Sequence, residues 1–160
     1  MSFLAKVNPP PAGSELPVSN DPWFPAIDPA QLRATCRLDG TVTPERLQHA
    51  LMQALASVNA ELWEFMVSNM LLGHASLSEV PAGALNGESV KAYHYRRAVY
   101  ACVQADLAEA YRDVDVTPQS AGKVERVTDR IELRIGEHRR AQRWAISDLL
   151  GIRRTTVDLV

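Results

Sequence analysis

Two stretches of this chain open with the same grammar: Asp28-Pro29-Ala30-Gln31 and Thr43-Pro44-Glu45 each set a capping side chain before a proline. The capping oxygen satisfies a backbone N–H orphaned at a helix start, and proline fits the first helical position because its missing N–H would be orphaned anyway. Gln31 adds the capping-box position of the first stretch. The pattern predicts a short helix to about Leu38, ended by Asp39-Gly40, and a long one from the Thr43 cap to about Leu72. In the second, Leu47, Leu51, Leu55, Val58, Leu62, Phe65 and Leu72 recur at the spacing of one helical face.

A third helix is predicted after Asn86-Gly87. Its Ala98-Val99-Tyr100-Ala101-Cys102-Val103 stretch is apolar on every side, so it should be covered on more than one face. Residues Gly73 to Asn86 form a long connection, either an ordered contact loop or a flexible one. Thr117-Pro118-Gln119-Ser120 turns the chain into a last helix, Ala121 to Leu150, with Val124, Val127, Ile131, Ile135, Ala141 or Gln142, Ala145 and Leu149 as its buried seam. Gly136 is a candidate bend and Gly151 a candidate C-cap. At 1.5 Å per residue this helix is on the order of 40 Å long, more than a lone domain of 160 residues needs, which suggests packing on another chain. The fold class is all-α: an antiparallel bundle of three long helices plus a short N-terminal helix. We divide the chain into a proline-rich flexible arm, 1–22, a helical domain, 23–151, and an extended C-terminal tail, 152–160.

The arm reads Asn8-Pro9-Pro10-Pro11-Ala12-Gly13-Ser14, then Pro17 and Pro22, and has too few apolar residues to offset its ordering entropy. Trp23 and Phe24, wedged between Pro22 and Pro25, are its anchor. These rings pack either on the chain's own body or on a neighbouring subunit.

No strand-glycine-helix phosphate loop, G-x-S-x-G or H-E-x-x-H motif occurs. His49, His74, His94 and His138 stand apart, without Cys or carboxylate neighbours at metal-ligand spacing. We therefore expect no catalytic residues, metal or cofactor, and no enzyme activity. Cys36 and Cys102 both fall in apolar helical stretches, which reads as buried thiols in a reducing interior. No apolar run is long enough for a membrane span and the N-terminal segment lacks a signal-peptide core, so no membrane partner is expected.

The formal charge is −2, against the clear basicity of a dedicated nucleic-acid binder. From Ser120 onward, however, there are 9 Lys/Arg and 6 Asp/Glu, so one end is locally basic. Arg126, Arg130 and Arg134 lie four apart on the last helix, with Arg139, Arg140 and Arg143 following. Glu125, Asp129, Glu132 and Glu137 run beside them, so the face is either an ordinary solvated one or a sequence-blind, salt-sensitive surface near packaged DNA.

The C-terminal segment supports two readings. In one, Ser147, Gly151 and the surrounding apolar residues form a DNA-binding helix-turn-helix, but only Thr155 to Val160 remain for its recognition helix. In the other, Ile152, Arg153, Arg154, Val157, Leu159 and Val160 belong to a β-branched tail suited to dock as an added strand or plug in another protein, or else to fold back on its own helices.

Several stretches, in order, resemble the head completion proteins of tailed phages, the GPL family. They are Phe24-Pro25-Ala26-Ile27-Asp28, Asp39-Gly40-Thr41-Val42-Thr43-Pro44-Glu45-Arg46-Leu47, Ala56-Ser57-Val58-Asn59-Ala60-Glu61-Leu62, Gly73-His74-Ala75-Ser76-Leu77, Tyr93-His94-Tyr95-Arg96-Arg97-Ala98-Val99-Tyr100 and Arg143 to Val160. The resemblance implies a structural virion protein of the head-tail neck, assembled in the host cytoplasm. It would bind below the portal after packaging, retain the DNA and complete the surface for tail attachment. It is also similar to helical connector adaptors, which implies a ring, commonly of twelve copies, with the tail inserted in the portal. Implied partners are the portal, a tail-terminator or neck protein, further copies of itself, and packaged DNA at most non-specifically. The proline-rich Met1 to Pro22 extension departs from the family pattern.

Overall fold

The computed structural model describes residues 15–115 and 121–153. The protein is mainly helical: α1 (Pro29–Cys36), α2 (Pro44–Glu61), α3 (Trp63–Leu71), a 3-10 turn (Leu77–Glu79), a hairpin of β1 (Ala84–Leu85) and β2 (Glu88–Ser89), α4 (Val90–Asp115) and α5 (Ala121–Leu150). Both predicted caps form, since Asp28 Oδ1 accepts from the Ala30 N–H at 2.9 Å and Thr43 Oγ1 from the Arg46 N–H at 3.4 Å.

Helix α1 ends earlier than the expected Leu38, because Arg37 turns left-handed at φ 53°. The Arg37 and Leu38 N–H groups then return to Ala34 O and Arg33 O, which satisfies two carbonyls at the helix end. The long helix expected from Thr43 to Leu72 is broken at Leu62, whose φ and ψ of −96° and 3° leave the helical region. Leu62 N–H still reaches Val58 O, and Met66 N–H still reaches Leu62 O, so the interruption is one residue wide. Tertiary packing drives this bend. Leu62 is fully buried, and the turn directs Phe65 and Met66 towards the aromatic cluster around Trp23.

Asn86-Gly87 does not start the third helix directly. Both residues have positive φ, 51° and 79°, and they form the two-residue turn of the hairpin that pairs Ala84 with Ser89 and Leu85 with Glu88. Of the two alternatives for the 73–86 connection, the ordered contact loop is the one present. Trp23 Nε1 donates to His74 O at 3.1 Å, and the Leu77 N–H donates to Trp23 O at 2.8 Å.

Helix α4 is the shared middle. Ala98, Val99, Ala101, Cys102 and Val103 are all buried, as their all-round apolarity predicts. Helix α5 packs along one side of α4, α2 along another, and α1 also touches it. Lys91 bonds to Leu149 O and Arg139 to Asp106, so the start of α4 lies by the end of α5. Along α5, Gln142, Ala145 and Leu149 are buried as the seam predicts and Ile131 and Ile135 are half-buried; the side chains of Val124 and Val127 lie outside the described residues. The helix runs through Gly136 without interruption and stops at Gly151, φ 72°.

A left-handed conformation costs a non-glycine residue about 1–2 kcal/mol, partly offset by the greater backbone entropy that glycine loses on folding. The exposed Arg37→Gly substitution should therefore raise the stability by about 0.5–1 kcal/mol, read as a higher urea midpoint at unchanged m-value.

Candidate functional site

Residues 15–24 form a strap along α2. Glu15 pairs with the largely buried Arg33, Pro17 O accepts from Gln48 Nε2 at 3.1 Å, and Val18 packs against the core. The chain thus joins the body well before Pro22, where the arm was expected to end; residues 1–14 lie outside the described ones.

At the far end of the strap, three side chains close a ring of hydrogen bonds. Asn20 Nδ2 donates to Tyr95 Oη at 2.9 Å, Tyr95 Oη donates to Asn59 Oδ1 at 2.6 Å, and Asn59 Nδ2 donates to Asn20 Oδ1 at 3.0 Å. Each polar atom that burial would otherwise orphan gains a partner, and strap, α2 and α4 are joined at one point. Burial drives the Tyr95 phenol well above its ordinary pKa, so it stays a neutral donor and acceptor. Phe24 stacks on the Tyr95 ring at 4.9 Å and Trp23 meets Phe24 edge-on at 5.0 Å. Trp23 and Phe24 are only 4% and 5% exposed. Of the two alternatives for these rings, they take the packing on the chain's own body, where they anchor the strap to the core.

A second polar cluster links α4 and α5. Arg139 donates to Asp106 at 2.7 Å and to both Glu109 oxygens at 3.0 Å, while Gln142 Nε2 reaches Glu61 of α2 at 3.4 Å. Burial raises the Asp106 pKa even though Arg139 opposes the rise. Burial also works against the Arg139 charge, but the hydrogen bonds it donates to Glu109 and Asp106 outweigh it and hold the guanidinium charged. Asp106 and Glu109 line a cleft of about 620 Å³ between α2 and α4, and both carboxylates are committed to Arg139. Among the described residues, no group of three His, Cys, Asp or Glu is placed to hold a metal.

The end of α5 is clamped where the C-terminal tail leaves it. Lys91 Nζ donates to Leu149 O at 2.8 Å and sits 5.1 Å from the Phe65 ring centre; burial lowers its pKa. A cation there faces the negative end of the helix dipole. Arg97 pairs with Asp148 at 3.4 Å. Gly151 N–H bonds to Asp148 O and Ile152 N–H to Ser147 O, a complete C-terminal cap. Beyond it Ile152 is 59% exposed and Arg153 is exposed. Arg154, Val157, Leu159 and Val160 lie outside the described residues, as does the Thr155 to Val160 segment of the helix-turn-helix reading.

On the basic helix, Arg130 and Arg134 are exposed, and the Arg126 side chain lies outside the described residues. Arg139 does not contribute to a cationic surface as expected, because Asp106 and Glu109 engage it. Arg140 lies over the Trp144 ring at 5.6 Å. The sequence reading also missed a second apolar stripe, on α3. Trp63, Met70, Leu71 and Leu72 are 54–84% exposed, and Trp63, Val67, Met70 and Leu71 follow one another at i, i+4, i+7 and i+8.

These features define a helical assembly protein: a stiff body with an anchored strap, a clamped tail exit and an apolar outer stripe. The phage head completion protein (GPL) family pattern matches residues 18–160, and the chain belongs to that family. A head completion/stabilization protein of Escherichia phage P2 is 39% identical over 154 residues, which cover 96% of this chain and 89% of that protein. No solved structure matches the chain. Its role is that of a structural head-completion protein of the virion, a class without enzymatic chemistry. No helix among the described residues is long and apolar enough to cross a membrane.

Removing the Tyr95 hydroxyl should leave Asn59 Oδ1 without its donor and Asn20 Nδ2 without one acceptor. Tyr95→Phe is expected to cost about 1–3 kcal/mol in urea denaturation and to speed proteolysis within residues 15–24. The thiols of Cys36 and Cys102 are both free, and burial pushes each pKa up to about 11. Because the folded values are raised, the stability they contribute is complete below the ordinary thiol pKa of 9.0 and is lost as pH rises towards about 11. Native protein at pH 8 should react slowly with a disulfide reagent, and both thiols should react quickly once urea unfolds it.

Proposed function

We propose that this protein completes the phage head by closing as a ring, of twelve copies by analogy with connector adaptors, beneath the portal after DNA packaging. The ring sits at the head-tail neck, retains the genome and presents the surface that a tail-terminator or neck protein meets. Each copy docks its C-terminal tail, Ile152, Arg153, Arg154, Val157, Leu159 and Val160, into the portal ring. Assembly takes place in the host cytoplasm.

The observation that carries this reading is the clamped exit of α5. Lys91, Arg97 and the Gly151 cap fix the point from which the tail departs, and the first tail side chains already face solvent. A fixed exit lowers the entropy lost when the tail docks. Once one tail of a ring has docked, each further contact is intramolecular, so modest contacts sum to a durable joint. Arg130 and Arg134, with Arg126, give the ring a basic face that contacts packaged DNA through phosphates, without sequence preference.

Purified portal should bind the full chain about tenfold or more tightly than a chain ending at Gly151. Leu159→Asp, which leaves the Gly151 cap whole, should weaken binding in the same direction. Equal binding of all three proteins would refute tail docking.

A further inference from the structure

We propose that the Phe3-Leu4 segment of one copy docks on the α3 face of a second copy, in the cleft where strap and α3 meet. This deepens the ring reading and rests on it only for the number of copies joined.

The receptor is an apolar face with room beside it. Trp63, Met70 and Leu71 are 54–84% exposed along α3, beside Val67, which is half-buried against the core. Next to it, Asp21, Phe24, Asn59, Ala60, Trp63 and Met66 line a cleft of about 360 Å³. Exposed apolar surface of this concentration marks a contact site. The face also carries negative charge: Glu64 is exposed on α3 and Asp21 lines the cleft.

The occupant is argued from the direction of the strap. Pro17 lies at Gln48, Asn20 at Asn59, and Phe24 borders Trp63 and Met66, so residues 17–24 run along α2 towards α3. Glu15, the first described residue, pairs with Arg33 and precedes Pro17, so the segment before it is rooted at the end of α2 remote from α3. Its residues are Phe3, Leu4 and Val7 with the single charge Lys6, which complements an apolar, acidic face. Leu4 and Glu15 are eleven residue steps apart, a reach of roughly 35 Å extended, and Pro9-Pro10-Pro11 favours extension over the reversal that docking on the same copy needs. The root of the arm at Glu15 and the receptor thus lie at opposite ends of the described body, which allows the head-to-tail arrangement that generates rings.

The test uses the full chain with a photo-reactive benzoylphenylalanine in place of Phe3, mixed with a tenfold excess of isotopically heavy protein, both free and on portal-bearing heads. We expect cross-links from light residue 3 to heavy peptides spanning 63–72, reduced about tenfold when the heavy copy carries Leu71→Asp. Leu71 is 84% exposed, so this substitution should leave the melting temperature unchanged. Cross-links confined to the light copy's own α3, cross-links elsewhere, or no heavy cross-link in either preparation would each overturn the proposal. If the Leu159→Asp chain fails to weaken portal binding while these cross-links persist, only the portal reading falls. The reverse result removes only the arm.

Discussion

Close approach of α4 and α5 is the contact on which the rest of this structure hangs. Ala98, Ala101, Cys102 and Ala105 are all buried, and Cys102 lies on the α4 face that meets Arg139. From α5, Ala145 is fully buried. Small side chains at a helix contact draw the axes towards the short end of the usual separation of about 8–10 Å, so the pair packs as a plank. Arg139, bound to Asp106 and Glu109, then fixes its register, because a shift of one turn would leave the half-buried guanidinium without either carboxylate. With this pair rigid, Tyr95 faces the strap and α2 while Lys91 sits under the end of α5.

The first and last described stretches of the chain are fixed to that pair. The strap is held by a closed hydrogen-bond ring and stacked aromatic side chains, and α5 ends on a lysine and a complete C-cap. In the ring assembly proposed above, segments rooted at fixed points would need ordering on docking only beyond their roots, which suits a joint made by many copies at once.

What could be read in the sequence depended on whether a local pattern decided the outcome. Asp28 and Thr43 cap helices because their bonds are local, and Gly151 ends α5 because left-handed backbone favours glycine. The run from Ala98 to Val103 is central because no polar side chain interrupts it. The break at Leu62 carries no Gly or Pro signal, since it arises from packing Leu62, Phe65 and Met66 into a core built from distant segments. Helix α4 does follow Asn86-Gly87, but the hairpin turn these residues form is not legible beforehand, because flanking strands of two residues show no alternation. The Asn20-Asn59-Tyr95 ring joins positions up to 75 residues apart, which no spacing rule reaches. The α3 stripe was legible as i, i+4, i+7 and i+8, yet the buried seam of the same stretch masked it.

Charge shows most clearly why placement outweighs count. The last 41 residues hold nine basic and six acidic side chains, a surplus that suggests a cationic helix. Within it Arg139 is neutralised by α4, and Arg140 lies over Trp144, where the ring face attracts the cation while its outer side stays open. Arg130 and Arg134 remain exposed on a helix interleaved with Asp129, Glu132 and Glu137. At physiological ionic strength the field of such a face decays within about 8 Å, so it acts on a phosphate backbone brought into contact and not on one at a distance. In the proposed ring, any contribution of α5 to holding DNA would therefore depend on the assembly first positioning this helix against the duplex.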